Sequence, residues 1–166
     1  EFLQAIFDIR GAHANWGGLT DPGAALPEEF LIYVTAESER IQCLEAANGR
    51  MAHLLRMARI KSLSGLGIQV WGDSGWDVEG VKYRGIAHHG DELTRIYCAS
   101  QLNLDVPRLY QRDIITMRVF DVLASGGAVL AEECPELLEY FTPGEHLFTY
   151  TDSASLAGRV EELLAQ

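Results

Sequence analysis

Hydrophobic and polar residues follow different patterns on the two sides of residues 65–67. Upstream, apolar residues recur at the i, i+3, i+4 and i+7 spacing of one helix face, which predicts a helix over residues 50–60. The residues that set this spacing are Met51, Leu54, Leu55 and Ala58. A separate helix is predicted over residues 38–47. Nearer the start, residues 27–29 are typical of a helix start, and residues 30–34 fit either that helix or a buried strand.

Downstream, short apolar runs alternate with helical patterns. The runs typical of buried strands are residues 67–72, 81–85, 101–106, 128–131 and 146–150. The helical patterns between and after them are residues 91–99, 114–125, 135–141 and a last helix that Asp152 or Ser153 caps. This alternation predicts an α/β fold with a doubly wound, Rossmann-like parallel sheet. Residues 67–166 would form that domain, and residues 1–66 a helical extension or linker.

Composition excludes several classes of protein. The net charge of −11 disfavours a nucleic-acid partner, because phosphates would be repelled. The three cysteines are too few for a disulfide framework, which favours a cytoplasmic protein. They include no CxxC pair, which disfavours a structural metal site. Apolar runs are too short to predict a membrane span. The chain begins with neither methionine nor a signal peptide, so we expect a piece of a longer polypeptide.

Missing motifs narrow the chemistry further. The sequence has no GxGxxG opening a helix after the first strand, no GxxxxGK[ST] and no GxSxG. Dinucleotide oxidoreductases, P-loop ATPases and the usual α/β hydrolases are therefore disfavoured. In an open parallel sheet the ligand lies beyond the carboxyl ends of the strands, so the loops after the strands are the places to search.

Residues 81–164 carry motifs that resemble the C-terminal domain of GT-B glycosyltransferases, closest to the spore-maturation-protein-like (CgeB-type) group 1 branch. In chain order, these motifs are YRG at 83–85, LTRIYCASQLNL at 93–104, MRVFDVLASGGAVL at 117–130 and PELLEYFTPGE at 135–145. The earlier VWGDSGW at 70–76 resembles the first strand of that domain with its G-x-x-W turn.

The resemblance implies hexosyl transfer from a nucleoside diphosphate sugar, with no cofactor and no metal. Asp121 would then bind the ribose hydroxyls, and Arg118 would neutralise the diphosphate as an arginine fork. Asp113 is either the first acid of the family's acidic pair or a helix N-cap. Arg118 is alternatively a surface ion pair with Asp121.

The other donor-binding candidates each have a structural alternative. Trp76 either stacks on the ligand or packs in the core. Tyr83 and Gly85 lie where the family binds the base, but Tyr83 is alternatively a core residue of a strand. Gly72 belongs to the G-x-x-W turn. The remaining candidates are Asn103 at a strand end, Arg108 as a second cation, and Gly126 as a helix cap that also approaches the donor.

Two further pairs of residues lie in the loops that follow strands. Glu132 and Glu133 either contact the sugar or form a solvated turn. His88 and His89 are expected at the mouth of the pocket.

The catalytic base and the acceptor site of such enzymes belong to the N-terminal domain. We therefore expect a donor-binding half that requires its missing N-terminal domain and is inactive alone. The donor sugar, the base and the acceptor are left open. The competing hypotheses are a non-catalytic Rossmann-like interaction module and a sugar-nucleotide epimerase. A surface normally covered by the missing half would also allow a homodimer.

Overall fold

The computed structural model describes residues 37–76, 78–108, 111 and 114–165. The sequence-based predictions for residues 1–36 and for Asp113 as an N-cap lie outside these residues. The described elements, in chain order, are α1 (Glu37–Ser62), β1 (Gln69–Val70), β2 (Lys82–Tyr83), α2 (Asp91–Ala99), β3 (Asn103–Asp105), α3 (Met117–Ala124), β4 (Val129–Glu132), α4 (Pro135–Tyr140), β5 (Phe148–Tyr150) and α5 (Ser153–Leu164).

Helix α1 is one continuous helix where the sequence predicted two. The predicted break at Asn48 and Gly49 is absent, because an isolated glycine costs a helix only about 1 kcal/mol. Contacts between residues divide the chain into two compact units. Of the described residues, one unit contains residues 56–76, 78–107 and 114–165, and the other contains residues 37–55, 108 and 111.

The five strands in the described part of the chain all pair in parallel, which confirms the predicted α/β class, but they form two sheets instead of one. Strands β1 and β2 make a two-stranded sheet, and β3, β4 and β5 make a three-stranded sheet in that order. Helix α3 connects β3 to β4, and α4 connects β4 to β5. Parallel neighbours need such crossovers, so the alternating pattern was a sound predictor of strand direction.

Strand β4 separates two hydrophobic layers because successive side chains point to opposite faces of a sheet. Val129 and Ala131 pack with α3 and α4, in a cluster that includes Val122 and Leu137. Leu130 faces the other way. On that side it packs with residues of α5 and of the turn after α1, which are Leu63, Leu156 and Val160. Helices therefore cover both faces of the three-stranded sheet.

Helix α3 begins three residues later than the sequence predicted. Its N-cap is Thr116. At its other end the predicted stop is confirmed: Gly126 has φ +80° and donates to the Leu123 carbonyl, while Gly127 donates to the Val122 carbonyl. These two bonds form a Schellman motif, which satisfies the last carbonyls of the helix.

Helix α5 begins with a capping box. The Asp152 carboxylate accepts from the Ser155 backbone N–H at 2.8 Å, and the Ser155 hydroxyl accepts from the Asp152 backbone N–H at 3.1 Å. The predicted cap at Asp152 is therefore confirmed. Among the residues that the structure describes, no helix is long and apolar enough to cross a membrane.

Candidate functional site

A buried ion pair joins helix α1 to the carboxyl end of β4. The Arg59 guanidinium donates to both oxygens of Glu132, at 2.6 and 2.9 Å, and its Nε donates to the Ser153 hydroxyl at 2.9 Å. Both side chains of the pair are about nine-tenths buried. Glu132 is thus neither a solvated turn residue nor exposed to a ligand, because its carboxylate is fully engaged by α1.

Tyr150 connects this ion pair to strand β3. The Arg59 guanidinium lies over the Tyr150 ring, 6.0 Å from its centre, and the Tyr150 hydroxyl donates to the backbone carbonyl of Asp105 at 3.1 Å. Burial raises the pKa of Tyr150 well above its ordinary value, while the nearby Arg59 charge acts in the opposite direction. The phenol therefore stays a neutral hydrogen-bond donor at physiological pH.

Arg118 forms an ion pair at the end of β3, and its partner is Asp105 instead of the Asp121 suggested by helical spacing. The Arg118 Nη1 donates to Asp105 Oδ1 at 2.7 Å. The Asp105 side chain is 5% exposed and the Arg118 side chain 39% exposed. Arg118 therefore reaches solvent with one arm anchored on a buried carboxylate.

Helices α2 and α3 line an open cleft with a volume of about 340 Å³. This volume lies within the usual range for small-molecule sites, roughly 300–1,000 Å³. One face of each helix lines it, at i, i+3, i+4 spacing. The lining residues are His89, Gly90, Leu93, Thr94 and Tyr97 from α2 and the loop before it, and Asp121, Ala124 and Ser125 from α3 and its end.

Tyr97 joins the cleft to the ion pair at Asp105. Burial raises the pKa of its hydroxyl, the Arg118 charge and a hydrogen bond with Arg118 lower it, and Asp121 and Asp105 raise it. All three charged side chains therefore act on one phenol. The predicted pair Arg118 and Asp121 share helix α3, and Tyr97 on α2 lies near both of them.

Four other predicted donor-binding residues lie together at the carboxyl ends of β1 and β2. The Gly72 N–H donates to the Gly85 carbonyl at 2.8 Å, and the Tyr83 hydroxyl donates to the Gly72 carbonyl at 2.9 Å. Trp76 is buried, and Arg56 lies over its ring at 5.0 Å. A Cβ atom at Gly72 would lie 3.1 Å from the Trp76 ring nitrogen, so this turn favours glycine. The packing of Trp76 is that of a core residue.

The prediction that Asn103 ends a strand was wrong, because Asn103 begins β3. It lies at the amino end of the sheet, away from the ends where parallel sheets bind ligands. Its amide nitrogen donates to the backbone carbonyls of Tyr97 at 3.0 Å and Ala128 at 3.1 Å. Asn103 is therefore committed to joining α2, β3 and the turn before β4.

Gly126 and Gly127 have separate structural roles. A Cβ atom at Gly126 would enter open space, and its positive φ is what requires glycine. At Gly127 a Cβ atom would lie 2.8 Å from the Tyr97 carbonyl oxygen and 2.9 Å from the Asn103 amide nitrogen. The close approach at Gly127 is thus to the backbone of Tyr97 and the side chain of Asn103.

Two further predictions concern surface residues. His89 lines the cleft, as the expectation of a histidine at the pocket mouth implied. Arg108 is exposed, and its backbone N–H donates to the Gln111 side chain at 3.2 Å. Arg108 belongs to the other compact unit, and its role as a second diphosphate ligand stays a prediction. Within the described part of the chain, no group of three His, Cys, Asp or Glu residues could hold a metal ion.

The sequence reasoning missed Arg59 and Asp105 as members of the site. Asp105 had a usable signal in the sequence. It is a charged residue near the end of a predicted strand, and parallel sheets bind ligands at the carboxyl ends of their strands. Arg59 had none, because one arginine on a long helix is most simply interpreted as a surface residue.

A model of the glycosyl transferase-like family matches residues 44–166. The match covers most of the chain, including α2, the cleft, α3 and the three-stranded sheet, and the chain therefore belongs to this family. No curated protein and no solved structure matches the chain.

Proposed function

We propose that this chain is the donor-binding part of a GT-B glycosyltransferase of the CgeB-like branch, and that it binds a nucleoside diphosphate sugar. The observation that carries the proposal is the cleft between α2 and α3, where an exposed carboxylate, Asp121, lies on the same helix as Arg118. Family membership supports sugar transfer, and the cleft offers a place for the nucleotide.

In this proposal Asp121 accepts hydrogen bonds from the two ribose hydroxyls. A carboxylate has two oxygens and can accept from both members of a vicinal diol. Asp121 lies in the middle of α3, so the helix backbone fixes its position, and the neighbouring Ala124 leaves room beside it. The base would lie towards Gly90 and Thr94, where the cleft opens at the start of α2.

Arg118 lies three residues before Asp121, almost one turn nearer the start of the helix. Its guanidinium would then meet the diphosphate that follows the ribose. When the bond between the sugar and the diphosphate breaks, negative charge develops on the departing oxygen, and a positioned arginine stabilises that charge. The acceptor and the catalytic base would come from another part of the complete enzyme.

Calorimetric titration of the chain with UDP and with GDP tests this proposal. We expect one of them to bind, and Asp121→Ala to reduce its affinity at least about tenfold, as for a lost charge-assisted pair of hydrogen bonds. Glu162→Ala is the matched control, because it removes an exposed carboxylate from the distant helix α5. If neither nucleotide binds, the alternative of a non-catalytic interaction module becomes the better account.

A further inference from the structure

Asp105 is held in place at both its backbone and its side chain. Its backbone carbonyl accepts from the Tyr150 hydroxyl, and its carboxylate accepts from Arg118. The carboxylate is 5% exposed, and a charge so far from water requires a partner of opposite sign. The position of this carboxylate is thus set by the sheet, and it in turn fixes one arm of Arg118.

Arg118 is in a different situation, because more than a third of its side chain is exposed. An exposed arginine without an anchoring partner samples many rotamers, and ordering it on a ligand costs about 0.5–1.5 kcal/mol. A guanidinium carries five N–H donors. The bond to Asp105 engages Nη1, and the side chain of Arg118 also hydrogen-bonds Tyr97, which lines the cleft.

We propose that Asp105 is a positioning residue, which holds the Arg118 guanidinium beside the cleft in the orientation that meets a diphosphate. This inference rests on the proposed function, since it assigns how the same site presents its cation. Asp105 itself does not touch the ligand.

The position and the charge of the Asp105 carboxylate have opposite effects on the affinity for a diphosphate. A carboxylate near a diphosphate repels it, so removal of the Asp105 charge would tighten binding if charge alone mattered. Removal of the anchor would loosen binding if orientation matters, because the ligand must then order Arg118 itself. The sign of the change therefore separates the two accounts.

The experiment measures the affinities of UDP, GDP and the matching nucleosides, uridine and guanosine, for the whole chain and its variants. The variants are Asp105→Ala, Asp105→Asn, Arg118→Ala and the double variant Asp105→Ala/Arg118→Ala. Arg159→Ala serves as the control, since it removes an exposed arginine from an ion pair on α5. Circular dichroism establishes that each variant is folded at the titration temperature.

We expect Asp105→Ala to weaken diphosphate binding about fivefold to tenfold, comparable to the loss of one charge-assisted hydrogen bond. Nucleoside affinity should change less than about twofold, and Asp105→Asn should recover part of the loss because its amide oxygen still accepts from Arg118. In the Arg118→Ala background, Asp105→Ala should add no further loss, since the two residues act as one unit.

Four results would overturn the inference. Tighter diphosphate binding by Asp105→Ala would show that the carboxylate acts through its charge. Equal losses for the diphosphate and its nucleoside would show a general structural effect. If Asp105→Ala does not fold, Asp105→Asn decides, and diphosphate binding by that folded variant that is tighter than in the unaltered chain would contradict positioning. Failure of the unaltered chain to bind any of the four compounds would reject this inference together with the proposed function.

Discussion

Arg59 and Glu132 form a two-pronged ion pair between the last turn of helix α1 and the carboxyl end of strand β4. The two bonds measure 2.6 and 2.9 Å, and both side chains are largely shielded from water. Helix α1 thus contributes a charged group to the carboxyl edge of the three-stranded sheet. At this edge Glu132 pairs with Arg59, and the neighbouring Asp105 pairs with Arg118.

Breaking this pair from one side should destabilise the fold strongly. Arg59→Met leaves the Glu132 carboxylate buried without its cation, a change that costs about 3–5 kcal/mol. Chemical denaturation followed by circular dichroism measures the loss. Arg159→Met, in the exposed pair with Glu162, is the control and should change the free energy of unfolding by less than about 1 kcal/mol. A similarly small loss for Arg59→Met would show that the pair is not formed in solution.

Gly127→Ala should destabilise the chain by about 1–3 kcal/mol, as overpacking does. The new methyl group would meet the Tyr97 carbonyl and the Asn103 amide, and the carbonyl is part of a helix backbone that cannot easily move. The free energy of unfolding from urea titration measures this effect.

Gly158→Ala provides the comparison, because Gly158 lies in helix α5 with open space around its Cβ position. Alanine is the better helix former there, so this variant should gain about 0.5–1 kcal/mol. If both variants behave alike, the tight packing at Gly127 is contradicted.

The sequence predicted the secondary structure better than the arrangement of the strands. The bounds of α2 were predicted without error and those of α4 to within one residue, because their apolar faces and caps are local signals. The division into two sheets depends on pairing between residues far apart in sequence, for which periodicity carries no information. The predicted start of α3 was three residues too early, because a residue type that favours helix caps does not by itself fix where a helix begins.

The candidate site was predictable in part for the same reason. Arg118 and Asp121 share a short helix, so their proximity follows from spacing along the chain. The interactions of Arg118 with Asp105, and of Glu132 with Arg59, join segments that are distant in sequence. Asn103 was misplaced because the apolar run around it does not reveal which of its residues starts the strand.

Helix α5 should lose stability in acid through its cap. The Ser155 backbone N–H, and then the Ser155 hydroxyl, hold the pKa of Asp152 below its ordinary value. A lowered pKa in the folded state means that this stabilisation is complete above the pKa of the unfolded chain and is lost as pH falls through the folded value. The pH dependence of the melting temperature below about pH 4 measures the effect. Asp152→Asn should flatten that dependence, and an unaltered slope would exclude the contribution.

The pKa of Tyr97 depends on the position of Arg118. Burial raises the pKa of its hydroxyl, and Arg118 partly offsets the increase. Arg118→Ala should therefore raise this pKa further, which ultraviolet titration of tyrosine measures as the difference from the same variant with Tyr97→Phe. Arg159→Ala should leave the titration unchanged. A Tyr97 pKa that does not respond to Arg118→Ala would place the guanidinium away from the cleft.

The location of the nucleotide is the central claim, and backbone amide chemical shifts test it most directly. Two-dimensional NMR of the ¹⁵N-labelled chain is recorded during titration with UDP and with GDP. We expect the largest shifts at Gly90, Thr94, Asp121 and Ser125, which line the cleft, and none at Gly144 or Gly158. Saturable shifts confined to Gly72 and Gly85, with the cleft residues unmoved, would contradict the account and move the nucleotide to the ends of β1 and β2.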